Sequence, residues 1–341
     1  MTVSNGQVIP IVLKANPGLV RRNALHPPIL NMCNRPLRSL TIDSEGRCYI
    51  CICESWLPVS VGNITDFNAL SEVWTNPIAK TIQASIENKD YQYCFVDRCG
   101  ILENPIRQPE YHIAVNMDNS CNLACPSCRT DMINYTKGDV FNDRVKLVNH
   151  FLKLLENFNE PTKVILIGSG DPLSSLIIRP IVLNWVPKSN QTITLFTNGL
   201  LMKKLLPKST VLSHISEFQI SVDAGSSEVY EVVRKPGKFK NLKENLDWLA
   251  DNKPQHSNVT LNYTVSANNA TDIENFVAMC EHYKFFGVIT QLENWNTFDD
   301  FQTQAVLEYP THPLHQASLL QLRNAAKSSK ISFDPRIRKL L

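Results

Sequence analysis

No stretch of the chain keeps about eighteen apolar residues together, the length that a membrane-spanning helix needs, so no membrane partner is expected. The opening segment also lacks the marks of a signal peptide. Its short apolar run, VIPIVL, has no basic stretch before it and no small-residue cleavage pattern behind it. A strong charge imbalance is missing too. Lys and Arg number 34 against 32 Asp and Glu, a net charge of +2, which argues against a nucleic-acid partner held by a strongly basic surface. Internal repeats and low-complexity tracts are absent, which excludes a repeat architecture. The expectation is a cytoplasmic globular protein. Its 341 residues, 43% hydrophobic and 19% charged, allow one large domain with a smaller attachment.

Cysteine, by contrast, is plentiful. Ten cysteines in a chain read as cytoplasmic are not expected to pair as disulfides, because the cytosol keeps thiols reduced, and metal binding becomes the leading explanation. Their distribution supports it: six lie from Cys33 to Cys99, three from Cys121 to Cys128, and Cys280 stands apart. Cys280 follows Ile273, Phe276 and Val277 at helical spacing, which reads as a small core residue on a buried stripe. The eight histidines are scattered and none is assigned to a site.

From residue 111 onward strand-like and helix-like segments alternate. Strands are predicted at 111–117, 163–168, 192–196, 218–222, 258–265 and 288–293. Helices are predicted over 143–158, after Ser174, near 200–206, in 239–250 and in 271–286, the last opened by a capping box of Thr271 and Glu274. Such alternation predicts an α/β fold with parallel strands and right-handed crossovers, either a partial barrel or an open doubly wound sheet. Residues 1–110 read as short strands, turns and one helix near 77–88 among the cysteines. The stretch 297–341 is expected to be a closing loop and a helix packed on the domain.

The central signal is the run from Ser120 to Arg129, with Cys121, Cys125 and Cys128 in C-x3-C-x2-C spacing directly after the first strand of the alternating region. Three thiolates on one loop can ligate three irons of a four-iron cluster and leave the fourth open. A structural zinc site is instead closed by four ligands. The loop resembles the signature of the radical S-adenosylmethionine superfamily. That resemblance implies a partial (β/α)6 TIM-like barrel and a [4Fe-4S] cluster on these three cysteines, whose open iron chelates S-adenosylmethionine. It further implies reductive cleavage to a carbon radical that takes hydrogen from a substrate, and a reductant such as flavodoxin or ferredoxin. Ser127 stands where the family often carries an aromatic residue.

Later strand ends resemble the family as well. Ser169, Gly170 and Asp171, in Gly-Ser-Gly-Asp-Pro, are similar to the glycine-rich turn that meets the methionine amino group, with Ser and Asp in place of Gly and Glu. Without that context the segment is simply a good turn. By resemblance, Asn198 lies at a cofactor-facing strand end, Ser221 and Asp223 contact the ribose, and Arg234 pairs with the methionine carboxylate. A guanidinium presents a planar fork suited to that last task. Asn262 on the fifth strand is a further candidate.

Residues 33–100 resemble the SPASM or twitch module that carries auxiliary iron–sulfur clusters in peptide-modifying radical enzymes. The likeness rests on Cys33, Gly46 and Cys51 at their spacing, Cys94 and Cys99, the hairpin text LTIDSEGRCYIC, and the helix entry LSEVWTNP. The module usually follows the barrel, whereas here it precedes it. The later cysteines for a second auxiliary cluster are missing, so one auxiliary [4Fe-4S] cluster is expected, on Cys33, Cys51, Cys94 and Cys99. Cys48 and Cys53 compete for the place of Cys51, and a four-thiolate zinc site satisfies the same spacings. The expected organisation is an extension at 1–32, the module at 33–105, the radical core at 106–296 and the closing segment at 297–341. The resemblance favours a ribosomally made peptide as substrate, cross-linked or epimerised. A sugar, nucleoside or other small metabolite, and a non-catalytic metal-binding interaction module, are the alternatives.

Overall fold

The computed structural model describes residues 33–51, 57–95, 99 and 109–341. Six parallel strands, each followed by a crossover, make its centre. They are β4 (Tyr111–Val115), β5 (Thr162–Leu166), β6 (Gln191–Thr197), β7 (Ile215–Ser221), β8 (Asn258–Val265) and β9 (Phe286–Gln291). They lie side by side in chain order with no reversal. A doubly wound sheet would reverse its order at a switch point, so this is a partial barrel. The crossovers carry α4 (Asp139–Glu156), α5 (Arg179–Asn184), α6 (Met202–Leu205), α7 (Ser227–Val233), α8 (Phe239–Asn252) and α9 (Ile273–Tyr283). The short helix α7 was not among the predicted ones.

Strand periodicity sorts the side chains. Val164, Leu166, Ile193, Leu195, Phe218, Ile220, Leu261, Tyr263 and Ile289 are buried in the core that the helices cover. The alternate residues form the other face, and it is polar. Thr194 Oγ1 donates to Glu217 Oε2 (3.4 Å), Gln219 Nε2 to Glu217 Oε1 (2.5 Å) and Asn262 Nδ2 to Gln219 Oε1 (3.0 Å). Side chains alternate across a strand, so this ladder and the apolar core point in opposite directions.

The sheet does not end at β4. Strand β1 (Ser39–Ile42) pairs with it in parallel, Ser39 opposite His112 and Ile42 opposite Val115, and continues antiparallel into β2 (Arg47–Tyr49) and β3 (Gly62–Asn63). The cysteine-rich segment is therefore built onto the barrel sheet. Helix α1 (Arg35–Arg38) leads into β1, while α2 (Glu72–Thr75) and α3 (Pro77–Glu87) follow β3. Asn76 caps α3 by accepting from the Ile78 and Ala79 amides, with Pro77 in the first turn where its missing N–H costs nothing. Trp74 seals the joint. Its Nε1 donates to the Ser39 carbonyl (3.1 Å), and its ring packs edge-on to Tyr111 and stacks on Phe158.

At the other edge, β10 (Ile331–Phe333) adds a further parallel strand beside β9. It lies between α10 (His315–Ala325) and α11 (Pro335–Arg338), where a loop and one helix were expected. The predicted capping box is also corrected. Helix α9 begins after Asp272, which makes no side-chain cap, and Gln321 Oε1 accepts from the Ile273 and Glu274 amides instead. Asp272 is drawn away because its Oδ2 accepts from the Gly225 and Ser226 amides. Among the described residues no helix is long and apolar enough to cross a membrane.

Candidate iron–sulfur and cosubstrate site

The three-cysteine loop lies just beyond the carboxyl end of β4, held on three sides. The turn at 168–172 presses on it from β5, where a Cβ on Gly170 would stand 2.2 Å from the Ser120 carbonyl oxygen, so only glycine fits. The Asp171 amide donates to that same carbonyl (2.9 Å). From below, Asp118, buried at 3% exposure, accepts from Arg144 Nη1 (2.7 Å) and Ser175 Oγ (2.6 Å). From the side, the Ala124 amide donates to the Lys235 carbonyl (2.7 Å). Asp118, Arg144 and Ser175 were not singled out from the sequence. Asp118 lies three residues before Cys121, which was the only local signal.

The thiols differ in burial: Cys125 is buried, Cys121 is half-buried and Cys128 is exposed. Each sulfur meets one side-chain donor. Asn198 Nδ2 reaches Cys121 Sγ at 3.8 Å, Arg234 Nη1 reaches Cys125 Sγ at 3.5 Å and Arg129 Nη2 reaches Cys128 Sγ at 3.6 Å. Burial pushes the Cys121 thiol up to about 11, with Asp171 adding to the rise. Burial also raises Cys125, against the pull of Arg234.

The residues predicted to meet the cosubstrate gather here, but several are already engaged. Asp171 is buried, and its carboxylate accepts from the Leu173 and Ser174 amides through Oδ1 and from Thr197 Oγ1 and the Asn198 amide through Oδ2. Four donors fill what a carboxylate can accept. Burial still raises its pKa, the four donors opposing. Asp223 sits at a positive φ of 57° and pairs with Arg234 Nη2 at 2.7 Å, while its Oδ1 accepts from the Thr264 amide. Burial alone would lower Arg234, but Asp223 and Cys125 outweigh it and the net shift is upward. Arg234 Nε is buried with no partner among the described residues. Ser169 is exposed, its amide donating to Asn116 Oδ1. Ser221 ends β7 half-buried, and Asn262 lies opposite it on β8.

A second group forms in the amino-terminal region. Cys33, Cys94 and Cys99 pack around Ile86 and Tyr91. Burial raises Cys94, and Cys51, Cys33 and Cys99 add to the rise, as neighbouring thiols do. Arg35, 8% exposed, lies beside Cys51, Cys33 and Cys99. Cys48 stands apart: its Sγ meets the Gly46 carbonyl (3.8 Å), and burial, Asp43 and Asp66 raise it with no cysteine contributing. Cys53 and the extension at 1–32 lie outside the described residues.

Among the described residues no three His, Cys, Asp or Glu side chains converge closely enough for a single ion. The three thiols of the 121–128 loop, with side-chain N–H groups aimed at their sulfurs, are a donor set that fits an iron–sulfur cubane.

Two family profiles agree with this chemistry. The Radical SAM superfamily profile matches residues 115–280, and the profile of an iron–sulfur cluster-binding domain, SPASM, matches residues 33–100. No curated protein sequence matches at a significant level. Among solved structures, Streptococcus suis SuiB bound to precursor peptide SuiA is similar at 11% identity and a TM-score of 0.42, covering 75% of this chain and 54% of that one. TYW1 with a lysine-pyruvate adduct is similar at 15% identity and a TM-score of 0.40, covering 65% and 72%. The chain thus spans about half the length of SuiB.

Proposed function

We propose that this chain, which belongs to the radical S-adenosylmethionine superfamily and carries a SPASM domain ahead of the radical domain, holds its cosubstrate-binding [4Fe-4S] cluster on Cys121, Cys125 and Cys128 and modifies a peptide. The observation that carries the reading is the short loop at the end of β4, with three thiols each faced by a separate donor. When bound, such a cluster would supply the low-potential electron for reductive cleavage of S-adenosylmethionine. The chain's own residues bind and orient. The turn at Gly170 fixes the loop and Asp171 locks the end of β6 beside it; Asn198, Ser221, Asp223 and Arg234 are the residues assigned to the cosubstrate.

The auxiliary cluster of the SPASM domain falls to Cys33, Cys51, Cys94 and Cys99, in a module at 33–105 that precedes the core at 106–296. The Cys51 carbonyl accepts from Thr41 Oγ1 (2.8 Å), and Thr41 lies opposite Ala114, on the polar face of the sheet. The Cys51 backbone thus adjoins that face, whose amide, hydroxyl and carboxylate groups suit the donors and acceptors of a peptide backbone. Cross-linking and epimerisation are the outcomes this reading favours. Anaerobic purification with iron and sulfide counted, then assay for 5′-deoxyadenosine, tests the reading. About eight irons and deoxyadenosine formation that Cys125→Ala abolishes are expected. Oxygen-free protein that assembles no iron would refute it.

A further inference from the structure

Three donors from three different segments each meet a different cysteine sulfur. Arg129 comes from the loop itself, Asn198 from the end of β6 and Arg234 from the end of α7, at 3.6, 3.8 and 3.5 Å. The donors are themselves held. Arg129 Nη1 donates to the Asn119 carbonyl (2.7 Å), Asn198 Nδ2 also donates to Asn122 Oδ1 (2.8 Å), and Arg234 Nη2 is fixed by Asp223 (2.7 Å). None is a ligand, and two carry full positive charge. Resting on the assignment of the cluster to Cys121, Cys125 and Cys128, we propose that Arg129, Asn198 and Arg234 set its reduction potential. Asp223 is the opposing charge that offsets Arg234.

The physical case is electrostatic. One-electron reduction by an external low-potential donor adds a negative charge to the cluster. Hydrogen bonds to cluster sulfurs and nearby charge are the protein's means of moving that potential. The Arg234 guanidinium is 12% exposed and Asp223 8%, so solvent screens neither well. Cations at this distance favour the reduced state and Asp223 disfavours it. All three residues act through the cysteines and are positioning residues in this role.

The test is a dithionite titration of the anaerobically reconstituted full chain, with the midpoint read by electron paramagnetic resonance. The signal to follow is the one that changes when S-adenosylmethionine is added, which separates the three-cysteine cluster from the auxiliary one. Arg129→Gln and Arg234→Gln are expected to move the midpoint to more negative potential, and Asp223→Asn to more positive. A merely structural role would not produce shifts of opposite sign. Should Arg234→Gln lose its iron, Arg129→Gln and Asp223→Asn decide: opposite shifts uphold the inference, and an unmoved midpoint in either, or shifts of one sign, overturns it. A wild-type chain with no S-adenosylmethionine-responsive cluster overturns the assignment itself. A responsive cluster with unmoved potentials overturns this inference alone.

Discussion

Gly170 and Ser120 touch backbone to backbone, with 2.2 Å from the position of a Gly170 Cβ to the Ser120 carbonyl oxygen. The neighbour is main chain and cannot swing aside. Gly170→Ala is therefore expected to displace the start of the cysteine loop and to lower iron content, measured as iron per chain after anaerobic reconstitution, while β5 and β6 keep their pairing.

Asp171→Asn should be costly although it is isosteric. An amide nitrogen would then face either the Leu173 and Ser174 amides or the Thr197 hydroxyl and Asn198 amide, donor against donor. Each buried donor left unsatisfied costs about 1–3 kcal/mol. A lowered midpoint in urea unfolding at unchanged slope checks it. A wild-type midpoint would mean that the turn repacks.

Cys51→Ala and Cys48→Ala should separate. The first removes a member of the four-thiol group and is expected to lower iron from about eight to about four per chain. The second removes a thiol whose neighbours are Gly46, Asp43 and Asp66, and should keep the full complement. Equal iron loss in both variants would put Cys48 among the ligands.

Cys280 is fully buried, and burial pushes its thiol up to about 12. With the folded value above the unfolded one, its contribution to stability is fully present below the ordinary thiol range of about 8.5 and is lost as pH rises toward the folded value. At pH 8 the native chain should leave Cys280 unalkylated by iodoacetamide, and unfolding in urea should expose it, as peptide mass spectrometry would show. Native-state labelling would contradict the burial.

Trp74→Ala should loosen the amino-terminal module from the barrel. It deletes a ring packed on Tyr111 and Phe158 and the donor to Ser39, a loss of about 3–5 kcal/mol for a buried aromatic. Faster loss of the amino-terminal part in limited proteolysis, with the barrel fragment persisting, is the expected readout. Uniform loss of both parts would mean that they unfold as one.

All six barrel strands were legible in the alternation after residue 111, because period-two burial writes itself into Val164, Leu166, Ile193 and Leu195. Strand β10 was not, since Ile331–Phe333 is too short to show a period. The pairing of β1 with β4 was hidden for another reason: it joins segments about seventy residues apart, and neither text names its partner. At the site, the cysteines and their close company announced themselves by spacing. Asp118, Arg144 and Ser175 did not, because a single polar residue in a sequence carries no sign that folding will bury it beside two others.

The continuous sheet has a consequence for synthesis. The hairpin of β1 and β2 leaves the ribosome well before β4 exists, so the edge that β4 will cover is bare while translation proceeds. Its thiols are likewise made ahead of the scaffold that shelters them. A nascent chain of this order has to guard an open strand and a set of reactive sulfurs at once, until the first barrel strand arrives and closes over the seam.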